Sequence, residues 1–259
     1  MLPNYLRPYH IEIENLVRVG PNFDGGYVIH KDTLKFTDKI ITLGLSDDWS
    51  FEKDFLSRKK SCKVEAYDHT VNFKFWISRF LKDVFHFLLF KKLRIRKILD
   101  IFKYIDYFLF FKKNKHYKIK VGNSLNEINL EKIFLNTQVN YKCLLKIDIE
   151  GSEYEIIDQI KYWQKFINTL IIEFHETDKE KKQNLIKNFI LENTNFNLIH
   201  IHGNNYVTDS GNNPRCLELT FINNNIFPKV DKFSKYNYPI KNLDYPNLKR
   251  KEDCILKFE

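Results

Sequence analysis

Glycine is scarce in this chain, with 8 in 259 residues, alongside 7 prolines and a single methionine. So few of them argue against a low-complexity or fibrous class. The four cysteines, Cys62, Cys143, Cys216 and Cys254, stand far apart and form no CxxC pair, which argues against a zinc knuckle. Two of them fall in apolar, strand-like runs and are expected as buried thiols. No apolar run approaches the ~20 residues of a spanning helix. The opening stretch "MLPNYLRPYHIEIENL" lacks the charged-then-apolar order of a signal peptide. The expectation is a soluble, reduced, cytoplasmic protein. What is present is a core: 43% of residues are hydrophobic and 15% aromatic, too many for a disordered tail. The net charge of +9 points to an anionic partner, whether nucleic acid, a membrane surface or a phosphorylated small molecule.

Short apolar, β-branched runs recur between helical segments. Strands are expected at Lys39–Leu43, Lys63–Tyr67, Tyr117–Val121, Cys143–Ile147 and Thr169–Phe174. Their continuous apolar character fits a parallel sheet covered on both faces. A helix is expected from Ser152, where "SEYE" reads as a capping box between Ser152 and Glu155. Tyr154, Ile157 and Ile160 then share a face. Another helix runs over Asp178–Glu192. Two further strands, Phe196–Ile201 and Cys216–Phe221, flank a turn-rich loop and suit antiparallel pairing. The order implies one α/β domain over 1–259, a doubly wound, mostly parallel sheet with a reversed edge. Near the start, Asp24-Gly25-Gly26 leads into an apolar pair, a hairpin or strand-entry signal, and its functional reading is a loop over a bound cofactor.

One segment breaks the alternation, at about 71–116. Ile77, Phe80, Leu81, Val84 and Leu88 keep helical spacing, as do Ile95, Ile98, Leu99 and Phe102. Two or three amphipathic helices are expected there, inserted between the second and third strands. Val71–Lys118 holds thirteen basic residues against three acidic ones, so the basic character of the chain belongs mainly to this insertion. A cap or dimer element ranks first. A lid over an anionic substrate and a patch on acidic lipid are the other readings.

Ligands bind such sheets at the carboxyl ends of the strands, and acids cluster there. "GLSDD" after the first strand supplies Gly44, Ser46, Asp47 and Asp48. A dinucleotide fold wants G-x-G-x-x-G, and two acids repel a pyrophosphate. They suit a cationic sulfonium or ammonium, as in S-adenosylmethionine. The bland alternative is a helix cap at Asp47 or Asp48. Asp68 ends the second strand, where an acid can bind ribose hydroxyls. Asn123 and Ser124 follow the third, near an adenine edge or in a plain turn. Asp148 ends the fourth strand in "LLKIDIEGSEYEIID", with Glu150 beyond it. Glu173 and His175 sit two apart on the fifth and point to one side. Asp148, Glu173 and His175 form the candidate catalytic set, able to take a hydroxyl proton or hold a divalent ion. His202, in "HIHGNN", is a further candidate ligand and Asn204 a candidate substrate contact.

"LLKIDIEGSEYEIID" resembles the FkbM-like group of S-adenosylmethionine-dependent methyltransferases, marked by a "KIDVEGAE-E" type stretch. "DGGYVI", "GLSDDWSFEKDF", "IIEFH" and "HIHGNN" add to the likeness, which covers most of the chain outside the insertion and the tail after about Phe227. The resemblance implies a Rossmann-like class I methyltransferase sheet and O-methylation of a sugar. The substrate would be a nucleotide-activated sugar such as a GDP-heptose, or a glycan of a bacterial capsule or surface polysaccharide. It places Gly44, Asp47 and Asp48 by the methionine end of the cofactor and Asp68 at the ribose. It also implies a metal pair, Asp148 and Glu173, with Mg or Mn as the ion and His175 standing where a third ligand or a base would be. The first loop departs from the family in keeping one glycine. His175 or Asp148 is the expected base. The alternatives are an RNA ribose 2'-O-methyltransferase and a non-catalytic S-adenosylmethionine-binding module. "DIEG" in place of a D/N-P-P-Y/F run argues against base methylation, and no nucleic-acid partner is expected. A homodimer and a peripheral membrane contact remain as expected partner modes of the insertion.

Overall fold

A computed structural model describes residues 1–89, 94–137 and 142–259, with side chains outside 86–102. The chain opens with an antiparallel pair, β1 (Leu16–Val19) and β2 (Tyr27–His30), joined through the Gly25-Gly26 turn. Helix α1 (Lys31–Phe36) follows. Then come β3 (Lys39–Leu43), α2 (Ser50–Arg58), β4 (Lys63–Tyr67), α3 (Phe73–Leu89), α4 (Arg94–Lys113) and β5 (Lys115–Tyr117). The second half contains α5 (Leu130–Asn136), β6 (Cys143–Ile147), α6 (Glu153–Trp163), β7 (Ile167–His175), α7 (Glu180–Glu192), β8 (Phe196–Gly203) and β9 (Cys216–Asn223).

Seven strands form the main sheet in the order β5-β4-β3-β6-β7-β9-β8. The first five run parallel, while β9 pairs antiparallel with both β7 and β8. This is the Rossmann-like class I methyltransferase arrangement, with its reversed strand slotted in before the edge. Strand order reverses between β3 and β6, which places a ligand crevice at their carboxyl ends. Burial explains why the strand runs are apolar without alternation. Every residue of β6, β8 and β9 is buried. One face packs on α5, α6 and α7 through side chains such as Phe134, Ile157 and Phe189. The other packs on β1, β2 and α2 through Val19, Tyr27, Phe51 and Phe55. Each such fully buried side chain contributes about 1.5–3 kcal/mol of transfer free energy.

Several boundaries differ from those read in the sequence. The third strand is β5 at Lys115–Tyr117, not Tyr117–Val121: the ladder with β4 ends at Tyr67↔Tyr117, and Val121 instead bridges Ile128. The capping box at Ser152 does not form. Ser152 has helical backbone angles and no side-chain cap bond, and Glu153 accepts instead from the Gly151 N–H at 2.8 Å. Ile157 and Ile160 are buried as expected, with Tyr154 packed beside them. All four cysteines are free and buried. No described helix is long and apolar enough to cross a membrane.

Helices α3 and α4 stand between β4 and β5. Ile77, Phe80, Leu81 and Val84 do share a helical face, but that face is exposed. The spacing of Leu88, and of Ile95, Ile98, Leu99 and Phe102, concerns side chains outside the described residues. The inner side of the pair packs Trp76 and Tyr107 against Trp49, Leu45 and Ala66.

The tips of β3 and β6 set the fold's tightest constraint. Gly44 has φ +80°, and a Cβ there would lie 1.6 Å from the Asp148 carbonyl oxygen. The neighbouring strand takes the space a side chain would need, and Gly44 also borders the cleft at the strand ends. Gly44→Ala is expected to lower stability by roughly 3 kcal/mol, because it adds a left-handed penalty to a backbone clash. Urea unfolding should show a lower midpoint at unchanged slope.

Candidate functional site

Two adjoining cavities open at the carboxyl ends of the parallel strands. The first, about 370 Å³, is lined by Gly44, Tyr67, Asp68, Phe75, Val121 and Asp148. The second, about 440 Å³, is lined by Tyr27, Lys146, Asp148, Glu173, His175 and Asn204. Ser46, Asp148 and Glu150 border both. Both volumes fall in the range of small-molecule clefts.

The loop after β3 is built by carboxylates, though not in the roles expected. Asp68 accepts from the Leu45 and Ser46 N–H groups at 2.8 and 2.7 Å, and from the Thr70 N–H and hydroxyl at 2.6 Å each. Burial opposes its charge, but those four bonds win and hold it below the usual carboxylate range. Asp68 is therefore a clamp joining the ends of β3 and β4, and it keeps Ser46 at φ 50°. Asp47 pairs with Arg79 of α3 and, at 3.3 Å, with Lys103 of α4. These cations outweigh its burial and lower its pKa. Asp47 thus fastens the inserted helices to the site instead of offering a free charge. Asp48 accepts from the Ser50 N–H at 2.9 Å, the bland helix-start role, while bordering the second cavity. Asn123 and Ser124 line neither cavity. Asn123 is spent on the Glu155 carbonyl and Gln159, and the Ser124 N–H on Glu127.

The far wall of the second cavity is a network around two buried acids. Glu173 accepts from Asn204 Nδ2 and Cys216 Sγ, each at 2.9 Å, and from the Tyr27 hydroxyl at 3.4 Å. Burial, with Asp148 and Glu218 nearby, pushes its pKa well up. Asn204 accordingly positions Glu173 while also bordering the cavity. His175 receives its orientation from Glu153, which is fully buried at the start of α6. One Glu153 oxygen accepts from the His175 N–H at 2.8 Å and stands 3.3 Å from Nδ1. Glu150, in a left-handed turn at φ 53°, reaches Nε2 at 3.4 Å. Burial disfavours the imidazolium, but Glu153, Glu173 and Asp148 more than compensate and raise its pKa to about 9. Burial raises Asp148 to about 6, with Lys146 and His175 opposing the rise.

His202 does not join this set. It is buried between Glu218 on Nδ1 and Asp253 on Nε2, both at 3.1 Å, so both ring nitrogens are engaged away from Asp148. Among the described residues, side chains offering ligand atoms within 4.8 Å of one another fall into two sets, Glu173–His175–Cys216 and Asp148–Glu150–His175. Neither unites Asp148 with Glu173, the pair expected to share an ion.

Sequence reading passed over Lys146, Tyr67 and Glu153. Lys146 interrupts the apolar β6 run, and that break was its signal. Its ammonium lies 3.4 Å from buried Glu52 and within 6 Å of the Tyr27 and Phe51 rings, at 5.3 and 5.7 Å. Burial works against its charge, yet Glu52, Asp148 and Asp48 leave its pKa raised. The Tyr67 hydroxyl is buried without a hydrogen-bond partner among the described residues.

His175 should titrate near pH 9 by NMR, and Glu153→Gln should bring its midpoint down towards 6.5. Because the folded value is raised, the stabilising contribution is complete below about 6.5 and is lost as pH rises through about 9. A midpoint unmoved by the substitution would refute Glu153 as the orienting group.

Residues 86–206 match the family model described as the methyltransferase FkbM domain. No curated protein matches the chain. Among solved structures, a Methanococcus jannaschii fibrillarin pre-rRNA processing protein is similar at 14% identity and TM-score 0.39, over 73% of this chain and 68% of that one. A putative caffeoyl-CoA O-methyltransferase from Staphylococcus aureus is similar at 10% identity and TM-score 0.38, over 73% and 78%. An Aeropyrum pernix fibrillarin with natively bound S-adenosyl-L-methionine is similar at 9% identity and TM-score 0.38, over 73% and 68%. The family match takes in the whole acidic strand-end motif and bears out the likeness to the FkbM methyltransferase domain over residues 86–206.

Proposed function

We propose that the protein methylates a hydroxyl oxygen of a sugar, carried on a nucleotide such as GDP or within a surface glycan of a bacterial capsule. The observation that supports this best is Asp148 standing where the two cavities meet. The first cavity suits S-adenosylmethionine. Tyr67 and Phe75 offer flat apolar surface for a base, the buried Tyr67 hydroxyl lacks a partner among the described residues, and Asp148 with Glu150 provide negative charge for the cationic end. When bound, that cofactor would supply an already activated methyl group.

The residues of this chain supply the rest. The second cavity is bordered by Asp24, Asp48, Asp148, Glu150 and Glu173. Carboxylates accept hydrogen bonds from hydroxyl groups, so such a wall orients a neutral polyhydroxylated ring. It also repels a polyanion, which favours a sugar ring over the backbone of RNA, and Lys103 on the same border offers a cation to a nucleotide's phosphates. Asp148 takes the hydroxyl proton, and Lys146 stabilises the developing negative oxygen. His175, held as a cation, keeps Asp148 ionised at neutral pH.

We infer that no divalent ion takes part. Both candidate ligand sets need His175 as a neutral ligand, whereas Glu153 and Glu150 stand 3.3 and 3.4 Å from its ring nitrogens and favour its protonated form, and the Cys216 thiol donates to Glu173. Chelation by EDTA should leave turnover unchanged; activity restored only by Mg or Mn would overturn this.

Methyl transfer from S-adenosylmethionine to a panel of nucleotide sugars, read by mass spectrometry, tests the substrate class. Methylation of RNA with no sugar modified would refute it. Asp148→Asn should lower kcat by about 10²–10⁴, with S-adenosylhomocysteine still bound in calorimetry. Wild-type kcat should rise with pH through about 6, since the base must be ionised. Lys146→Met should cost about 10²–10³ in kcat.

A further inference from the structure

Helices α3 and α4 carry a broad apolar face that no described residue covers. Phe73 is 72% exposed, Leu81 61%, Phe108 and Leu109 60% each, and Phe80 50%. Contiguous exposure of this kind marks an interaction surface. The face cannot turn inward, because the opposite side of the pair is fastened down. Trp76 and Tyr107 fill the cluster around Trp49, Arg79 and Lys103 hold Asp47, and Asp106 bonds Trp49 Nε1 at 2.9 Å and Lys53 at 2.5 Å. The segment Val71–Lys118, to which these helices belong, has thirteen basic residues against three acidic ones in its sequence. Lys74 and Lys82 flank the apolar positions of α3 and are themselves exposed.

We propose that this hairpin seats the protein on an anionic phospholipid surface, with the apolar face entering the headgroup boundary and the lysines and arginines meeting the lipid charge. The helices are too polar to span: no described helix is long and apolar enough to cross a membrane. An apolar stripe rimmed by cations is the pattern of a helix lying in the interface plane. Charge distinguishes this occupant from a second copy of the chain, since two such faces brought together would oppose their excess positive charges in a desolvated contact. A nucleic acid would use the cations and stack on aromatic rings, leaving Leu81, Val84 and Leu109 unexplained. The attachment has a consequence for the site. Asp47 and Lys103 border the second cavity, so a hairpin resting on lipid brings that cavity's mouth close to the bilayer.

The test is cosedimentation of the full chain with vesicles of phosphatidylcholine alone and of phosphatidylcholine mixed about equally with phosphatidylglycerol. Binding to the mixed vesicles only, weakening with salt, is expected. The double variant Phe80→Glu/Phe108→Glu should lower partitioning about tenfold or more, and Lys74→Glu/Lys82→Glu about tenfold. Unchanged thermal unfolding and S-adenosylhomocysteine binding would show that both variants fold. The proposal fails if the wild type ignores anionic vesicles, or if Phe80→Glu/Phe108→Glu binds as well as wild type. It fails equally if ultracentrifugation finds a dimer that this double variant dissolves, since a second copy would then cover the face. Polynucleotide binding that both double variants abolish, without vesicle binding, would also overturn it.

Discussion

Two neighbouring strand ends approach so closely that only a glycine fits between them. With Gly44 against the Asp148 carbonyl, the chain leaves β3 in a left-handed turn and passes over the sheet at Ser46. That passage delivers the Leu45 and Ser46 N–H groups to Asp68 and ties β3 to β4. On the other side, the turn at Glu150 and Gly151 starts α6 so that buried Glu153 meets His175 at the end of β7. The tips of β3 and β4, and the start of α6 with the end of β7, are thereby tied by backbone N–H groups donating to carboxylates, and β3 to β6 by the Asp148 N–H on the Leu43 carbonyl at 2.8 Å. A rigid rim of this kind leaves room above it for ligands, because the polar groups that would otherwise need water are already satisfied.

The site economises on charge. Several carboxylates crowd a small volume, and each raises the cost of ionising its neighbours. Glu173 sits deepest in the crowding, where burial and neighbouring acids push its pKa well up, and it serves as a hub for Asn204, Cys216 and Tyr27. Asp148 lies between the extremes because Lys146 and His175 oppose its burial. The two cations depend in turn on acids behind them, Glu52 for Lys146 and Glu153 for His175. A lysine buried on a central strand would be costly alone. Here it is matched, and its remaining donors face a cavity.

The inserted helices are joined to this machinery through the same logic. Asp47, which would otherwise add one more negative charge to the rim, is neutralised by Arg79 and Lys103. One ion-pair cluster thus removes repulsion from the site and fixes the orientation of a hairpin whose outer face stays apolar.

The alternating pattern in the residues was enough to read the sheet, its parallel core and its reversed strand, because strands covered on both faces must be apolar throughout. The acidic motif "KIDIEGSEYE" likewise disclosed where a site would lie, since acids at a strand end have few structural reasons to cluster. Individual roles were not legible in the same way. Asp47, Asp68 and Asp148 look alike in sequence, yet one is an ion-pair anchor, one a backbone clamp and one an acid bordering two cavities. His202 was as plausible a ligand as His175 until Glu218 and Asp253 were found on its two nitrogens. The spacing of Phe80 and Val84 revealed a helix face but not its direction. Periodicity records only which residues share a surface, whereas role and direction depend on partners distant in sequence. Only tertiary packing could bring Glu153 to His175, Glu52 to Lys146 and Arg79 to Asp47, because a charge is decided by the groups within a few ångströms of it and not by its neighbours along the chain.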